Sequence, residues 1–275
     1  MYLITGATGN VGGELTRALI AAGEPVRALV RRAGAAVPEG AEPVVGDLNR
    51  PESLTGALRG VRGIFLLPGY DDMPGMLARA GEAGVRHVVL LSGGSAALED
   101  MGNAVSRYMT LSERAVRASG LAWTFLRARA FMSNALRWLP QLREGDVVRV
   151  PFPGVRAACV DPFDIAAVAA RALTGDGHDG RVHELTGPES LLPAEQVAVL
   201  ARVLGRDLRF VGLSDEEARA YLEARMPREY VDAFFGFNVD GTLDESRVHP
   251  DVERILGRPA RTFDQWATTH ATAFA

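Results

Sequence analysis

The chain has 275 residues, 47% of them hydrophobic and 23% charged, which is ample for the core of one large α/β domain or of a domain with a smaller lobe. Its net charge of −4 comes from 34 acidic residues against 30 basic ones, all of them arginine, and offers no general attraction for phosphate backbones or anionic lipid. Nucleic acid and membrane are therefore not expected partners, and Cys159, the single cysteine, rules out an internal disulfide framework.

The first half alternates short apolar runs with helical patterns. YLIT (2–5) is followed by Val11, Leu15, Leu19 and Ala22 at helical spacing, ending at Gly23, a residue suited to the position just past a helix. Then come VRALV (26–30), PVVGD (43–47), GIFLLP (63–68) and HVVLLSG (87–93). A helix is expected from Ala104 to Ser119, with Val105, Tyr108, Met109, Ser112, Ala115 and Val116 on one face, before the run WTFLRA (123–128). The apolar runs read as buried parallel strands. With short loops and right-handed crossovers, the expected fold is α/β: a doubly wound parallel sheet of the Rossmann kind with helices on both faces.

Beyond residue 128 the regularity fades, and LPQLREGDVVRVPFPG (139–154) reads as proline-rich loop opening a second lobe. DPFDIAAVAARALTG (161–175) predicts a helix capped by Asp161 or Asp164, RVHELTG (181–187) one more strand, and the segments from Pro193 onward mostly helix. HPD (249–251) reads as a turn into a helix. The expected division is a dinucleotide-binding domain of residues 1–128 and 157–187 and a smaller, mostly helical substrate-binding lobe of residues 129–156 and 188–275. With no leader-like segment at its start, the sequence reads as cytoplasmic.

The strongest local signal is TGATGNVGG, residues 5–13. It follows a strand and opens a helix, so Gly6 serves the tight turn, Gly9 the approach of backbone to a pyrophosphate, and Gly12 close packing of helix on sheet. Backbone N–H groups from Thr8 through Asn10 to Val11 would face the phosphates, aided by the positive end of the helix dipole. At the end of the second strand, where an acidic residue would hold both ribose hydroxyls of NAD, stand Arg31 and Arg32. Guanidinium groups there suit a 2′-phosphate, so NADP(H) is expected in preference to NAD(H). Asp47 and Leu48 fall where an adenine would rest, although Asp47 equally suits a turn-capping role. Leu66, Leu67 and Pro68, with Leu91 and Ser92, end the fourth and fifth strands at the edge where such sheets bind ligand.

TGATGNVGG, the strand ending VRR, VVGDL, LLSG and SERAVRASGLAWTFLRARAFMSN together resemble the NmrA-like branch of the atypical short-chain dehydrogenase/reductases, and VDPFDIAAVAARAL and VHELTGPESL extend the likeness over nearly the full length. The resemblance implies NADP binding and a small C-terminal lobe. It also implies one of several roles: quinone reductase, biosynthetic reductase, or nucleotide-sensing regulator without turnover. Aligning Glu113, Ser119, Gly120, Thr124 and Arg127 with the family pattern puts Met109 at the position of the catalytic lysine and Val105 at that of the tyrosine. Tyr108 is thus off register and reads as a packing or pocket residue, and Glu113 as a solvated or helix-stabilising residue, with a reach to the active-site end as the alternative.

The sequence therefore names no catalytic residue. Losing a positioned acid costs roughly 10²- to 10⁴-fold, yet holding donor and acceptor together still supplies about 7–11 kcal/mol. That favours an electrophilic acceptor, quinone-like, aromatic or conjugated, over an isolated ketone. The alternatives are a redox sensor that binds NADP(H) without turnover and a non-redox biosynthetic enzyme. The substrate pocket is expected between strand ends and lobe, lined by Tyr70, Tyr108, Phe131, Met132, Asn134 and Trp138. The aromatic run YVDAFFGF (230–237) would either close over the ligand or form a dimer contact, leaving monomer and homodimer both open. No histidine has a partner at metal-ligand spacing, so no metal is expected. Cys159, in the apolar run AACV, reads as a small buried hydrophobe.

Overall fold

A computed structural model describes residues 1–274. Seven parallel strands form the central sheet: β1 (Tyr2–Ile4), β2 (Val26–Val30), β3 (Glu42–Val45), β4 (Gly63–Leu66), β5 (His87–Gly93), β6 (Ala122–Ala128) and, after α4 and β7 described below, β8 (Arg181–Leu185). Their spatial order is β3-β2-β1-β4-β5-β6-β8, so the chain reverses its direction of travel between β1 and β4 and leaves a crevice at the carboxyl ends of those strands.

Helices cover both faces. On one, α1 (Asn10–Ala21) and α5 (Pro162–Thr174) bury Leu15, Leu19, Ile165 and Ala169 against Ile4, Phe65 and Val89. On the other, α2 (Met73–Glu82) and α3 (Ala104–Ala118) enclose Leu3, Ile64, Leu90 and Phe125 together with Met76 and Val116. Each such side chain contributes roughly 1.5–3 kcal/mol by leaving water, and the apolar positions recur at helical spacing because only one face of each helix meets the sheet. The strand expectations hold with one difference. β3 lies at the edge and is largely exposed, since no strand pairs with it on its outer side.

Helix starts follow the side chains available. The Asn103 carboxamide accepts from the N–H groups of Val105 and Ser106 at the start of α3. At α5 the capping residue is Asp161, which accepts from Phe163 N–H at 2.8 Å. Asp164, the other candidate, is fully buried and instead holds the Arg258 guanidinium and the Arg261 N–H, each at 2.7 Å, so it fastens the C-terminal segment to the sheet domain.

The rest of the chain packs over the carboxyl edge. A 3₁₀ stretch (Met132–Trp138), α4 (Leu139–Glu144), α6 (Pro193–Leu204) and α10 (Phe263–Thr269) build a third core around Trp138, Leu200, Phe263 and Trp266. The segment 139–154 is not a plain loop: β7 (Val147–Val150) pairs in parallel with β9 (Arg209–Gly212) as a separate two-stranded sheet. The pattern is present, Val148 and Val150 inward and Arg149 outward, but its partner lies some sixty residues on, with no hairpin turn to announce it. Helices α7 (Asp215–Glu223) and α8 (Arg228–Asn238) then cover the cleft, and α9 (Asp251–Leu256) returns to pack on α5, burying Val252 in the first core. Asp251 opens α9, and its carboxylate accepts from the N–H of Glu184.

Candidate cofactor and substrate site

The glycine turn between β1 and α1 is built for close approach. Gly6 has φ +64°, and a Cβ there would come within 2.7 Å of Leu67 Cδ1. A Cβ at Gly12 would lie 2.2 Å from the carbonyl oxygen of Gly6, a backbone atom that cannot yield. Gly9 opens α1 without any side-chain cap, so the first N–H groups of the helix have no side-chain acceptor, while Thr8, Gly9 and Asn10 are exposed. Val11 is buried, which leaves its backbone as the part that faces a ligand. Unsatisfied donors and a positive dipole end together make an anion site, and the missing Cβ atoms leave the room a pyrophosphate needs. These residues fit a dinucleotide. A cleft of about 680 Å³ runs from Thr8, Gly9 and Asn10 to Asp161 and Arg261.

Arg31 and Arg32 stand exposed just past β2, and neither has a hydrogen-bond or ion-pair partner among the described residues. Asp47 is engaged as a turn residue: its Oδ1 accepts from Asn49 N–H at 3.0 Å, leaving Oδ2 with only Arg50 at 4.0 Å. Leu48 and Leu66 are built into the second core, so any contact they make with a ligand is through backbone. Tyr70 departs from expectation. It lies outside the cavity described next, packs on the second core and feels Arg31 and Asp47, so it belongs to the side of the crevice where β2 and β3 end. Burial pushes its phenol above the ordinary range.

A second cavity, of about 790 Å³, opens over the ends of β4, β5 and β6. Leu67, Pro68 and Ser92 contribute to its floor, Val105, Tyr108 and Met109 of α3 to one wall, and Tyr230, Phe234 and Phe237 of α8 to another; Phe131 and Asn134 complete it. Thus three aromatics of the run 230–237 face this cavity. Hydrogen bonds set the walls: Ser112 accepts from Gly69 N–H at 3.0 Å, and Asn103 donates to the Ala233 carbonyl at 3.1 Å, tying α3 to the β4 loop and to α8. Tyr108 meets Tyr230 edge-on, with centroids 6.5 Å apart, and burial raises its phenol's pKa. Two expected lining residues sit elsewhere. Met132 is enclosed in the third core, and Trp138 faces an adjoining chamber of about 500 Å³, because the 3₁₀ stretch turns these side chains toward α6 and β7.

Beneath the floor lies a charged network. Glu113 is only 2% exposed, contrary to its reading as a solvated helix residue. Its Oε1 accepts from Ser92 Oγ at 2.7 Å and Arg127 Nε at 2.9 Å, and its Oε2 from Arg127 Nη2 at 2.8 Å. That paired geometry is the strong form of a carboxylate–guanidinium contact. The neighbouring Glu184 lies 3.7 Å from Arg127 and 3.1 Å from Arg129. Arg129 and Glu245, absent from the expected set, both line the cavity; burial pushes the Glu245 carboxyl above the usual carboxylate range, against the opposing pull of Arg129. Cys159 is buried, with its thiol pushed up to about 12 chiefly by burial, which fits a packing role. Among the described residues no three His, Cys, Asp or Glu side chains are grouped to hold a metal ion, and no helix is long and apolar enough to cross a membrane.

A glycine turn at the reversal point of a parallel sheet, with an apolar cavity alongside, defines a dinucleotide-binding protein of the doubly wound class. The profile of the NmrA-like family matches residues 2–266, and the chain belongs to that family. It is 44% identical over 286 residues to the (4-alkanoyl-5-oxo-2,5-dihydrofuran-3-yl)methyl phosphate reductase of Streptomyces griseus, covering 100% of this chain and 99% of the relative. It is 36% identical over 284 residues to the NAD(P)H azoreductase of Xenophilus azovorans, again covering 100% and 99%. The NADPH-dependent quinone oxidoreductase of Escherichia coli, solved with NADPH, superimposes with a TM-score of 0.81 at 25% identity, covering 99% of this chain and 100% of that one. The chain is an NAD(P)H-dependent oxidoreductase.

Proposed function

We propose that the protein catalyses NADPH-dependent reduction of an electrophilic small molecule, a quinone-like, aromatic or conjugated acceptor, without a tyrosine–lysine pair. The observation that carries this reading is the cavity wall: Val105 and Met109, at the positions of that pair, both face the cavity, so an apolar surface stands where a proton relay would be. Tyr108 beside them stands off the register of that pair and packs edge-on against Tyr230.

NADPH supplies a hydride when bound. The glycine turn would hold its pyrophosphate, Arg31 or Arg32 its 2′-phosphate, and the β4 to β6 ends would present the acceptor to its nicotinamide. Preference for NADPH rests on two exposed guanidinium groups with no partner among the described residues. The aromatic walls of α8 exclude water and orient a flat acceptor. Orientation alone supplies a large share of the rate for acceptors that become stabilised anions, and the proton then follows without a dedicated relay. The Streptomyces relative is named for an oxo-2,5-dihydrofuran, a ring of this conjugated kind, and the Xenophilus relative for azo reduction.

The test is NADPH oxidation, followed by absorbance, against a panel of quinones, azo compounds and conjugated enones with simple ketones as controls. Turnover confined to the conjugated acceptors is the expected result. Purified protein that binds NADPH but oxidises it with no acceptor on the panel would refute the reading.

A further inference from the structure

Two arginines two residues apart at the end of β6 have opposite surroundings. Arg127 spends its N–H groups on Glu113. Arg129 follows the strand directly, has a side chain 12% exposed, and donates no side-chain hydrogen bond to the described residues; its Nε is buried with no partner. Its one ionic contact, to Glu184 Oε2 at 3.1 Å, lacks hydrogen-bond alignment, and that oxygen is itself unpartnered. A guanidinium has five donors, and leaving the one on Nε buried without a partner is costly. The protein has nonetheless made room for it: a Cβ at Gly94 would fall 2.0 Å from Arg129 Nη1, so the guanidinium lies against bare backbone. It borders the cavity alongside Ser92, Gly93 and Gly94, at the strand ends where the acceptor would lie.

We propose that Arg129 is a catalytic residue that holds the negative charge developing on the acceptor's oxygen, the task left open by the missing tyrosine and lysine. The inference rests on the reductase reading above. An α,β-unsaturated carbonyl takes a hydride at its β-carbon, its π pair moves through the α-carbon to the carbonyl oxygen, and the resulting oxyanion accepts from the guanidinium. NADPH loses the hydride and becomes NADP⁺. A proton from solvent then reaches the α-carbon or the oxygen, completing a two-electron reduction. The charged groups facing Arg129 are Glu184 from β8 and, from the loop before α9, Asp244 and Glu245. Glu184 is shared with Arg127, and burial pushes the Glu245 carboxyl up against the opposing pull of Arg129.

The test uses p-nitrophenol, whose absorbance reports its own ionisation and which presents an aryl oxyanion without needing turnover. Bound to the intact protein it should ionise at lower pH than in free solution. Arg129→Gln should abolish that shift, Arg129→Lys should restore part of it, and Gly94→Ala, which displaces the guanidinium without removing its charge, should shrink it. With a conjugated acceptor, Arg129→Gln should lower kcat by about 10²- to 10³-fold, the range for loss of an oxyanion donor, with little change in KM. Nitrophenol that fails to bind, or that ionises identically in Arg129→Gln and the unaltered protein, overturns the proposal. If the reductase reading alone is wrong, the intact protein shows the ionisation shift yet oxidises no NADPH; if this inference alone is wrong, turnover persists unchanged in Arg129→Gln.

Discussion

At the amino edge of the sheet, a chain of histidine and threonine side chains is matched group to group. His87 Nε2 meets Thr124 Oγ1 at 3.0 Å, Thr124 donates to the His178 carbonyl at 2.7 Å, and His178 Nδ1 lies 3.1 Å from His183 Nε2. At the carboxyl edge, among the described residues, the first N–H groups of α1 lack a side-chain cap, Arg31 and Arg32 are exposed and unpaired, and Arg129 sits against the cavity without a side-chain hydrogen bond. Among the described residues the histidine chain at one edge is largely matched internally, His183 Nδ1 excepted, while the other edge presents donors to open space. Burying an unmatched donor destabilises a fold, so the partnerless Arg129 Nε beside the cavity points to a binding surface there.

The contrast is tested most severely at Glu113, a fully matched charge on the carboxyl edge. Glu113→Ala strands Arg127 and Ser92 and should lower unfolding stability by about 3–5 kcal/mol, the range for breaking a buried pair, read from denaturant midpoints. A change under about 1 kcal/mol would put Glu113 among exposed pairs and remove the floor from the account. Gly12→Ala should cost roughly 1–3 kcal/mol through overpacking against the Gly6 carbonyl and should also weaken NADPH binding, because the turn must shift. Stability and binding falling together would mark the glycine turn as the ligand's seat; stability falling alone would not.

The amino edge is sharpened by pH. Burial holds the pKa values of His87, His178 and His183 below the ordinary value. The unfolded chain then takes up protons first, so stability is present above about pH 6.5 and declines as pH falls from there toward the depressed folded values. Urea midpoints from pH 7.5 downward should show this decline, and His183→Asn should flatten it. The smallest effect belongs to Cys159. Its buried thiol should ignore a disulfide reagent in the folded protein and react promptly once urea unfolds it.

How much of this the sequence carried depends on distance along the chain. TGATGNVGG is legible because its meaning is local: strand, turn and helix start are consecutive, and each glycine answers to a backbone neighbour. The α3 helix and its apolar face are legible for the same reason. Glu113 is misread from sequence because its partners Arg127 and Ser92 come from two neighbouring strands, 14 and 21 residues away, and a glutamate among arginines on a helix looks solvated. Arg129 carries no sequence signal that separates it from the other arginines; only Gly94, 35 positions earlier in the chain, records the space it needs. Tyr70 and Met132 follow strand ends as pocket residues do, but which way a loop side chain turns is settled by the core it finds.

That the carboxyl edge receives a 2′-phosphorylated dinucleotide is tested directly by paired calorimetric titrations with NADPH and NADH. NADPH should bind more tightly than NADH, and Arg31→Ala with Arg32→Ala should weaken NADPH by roughly 10- to 100-fold, as expected for lost hydrogen bonds to a charged group, while leaving NADH nearly unchanged. Equal affinity for both nucleotides, or no heat with either, would contradict it.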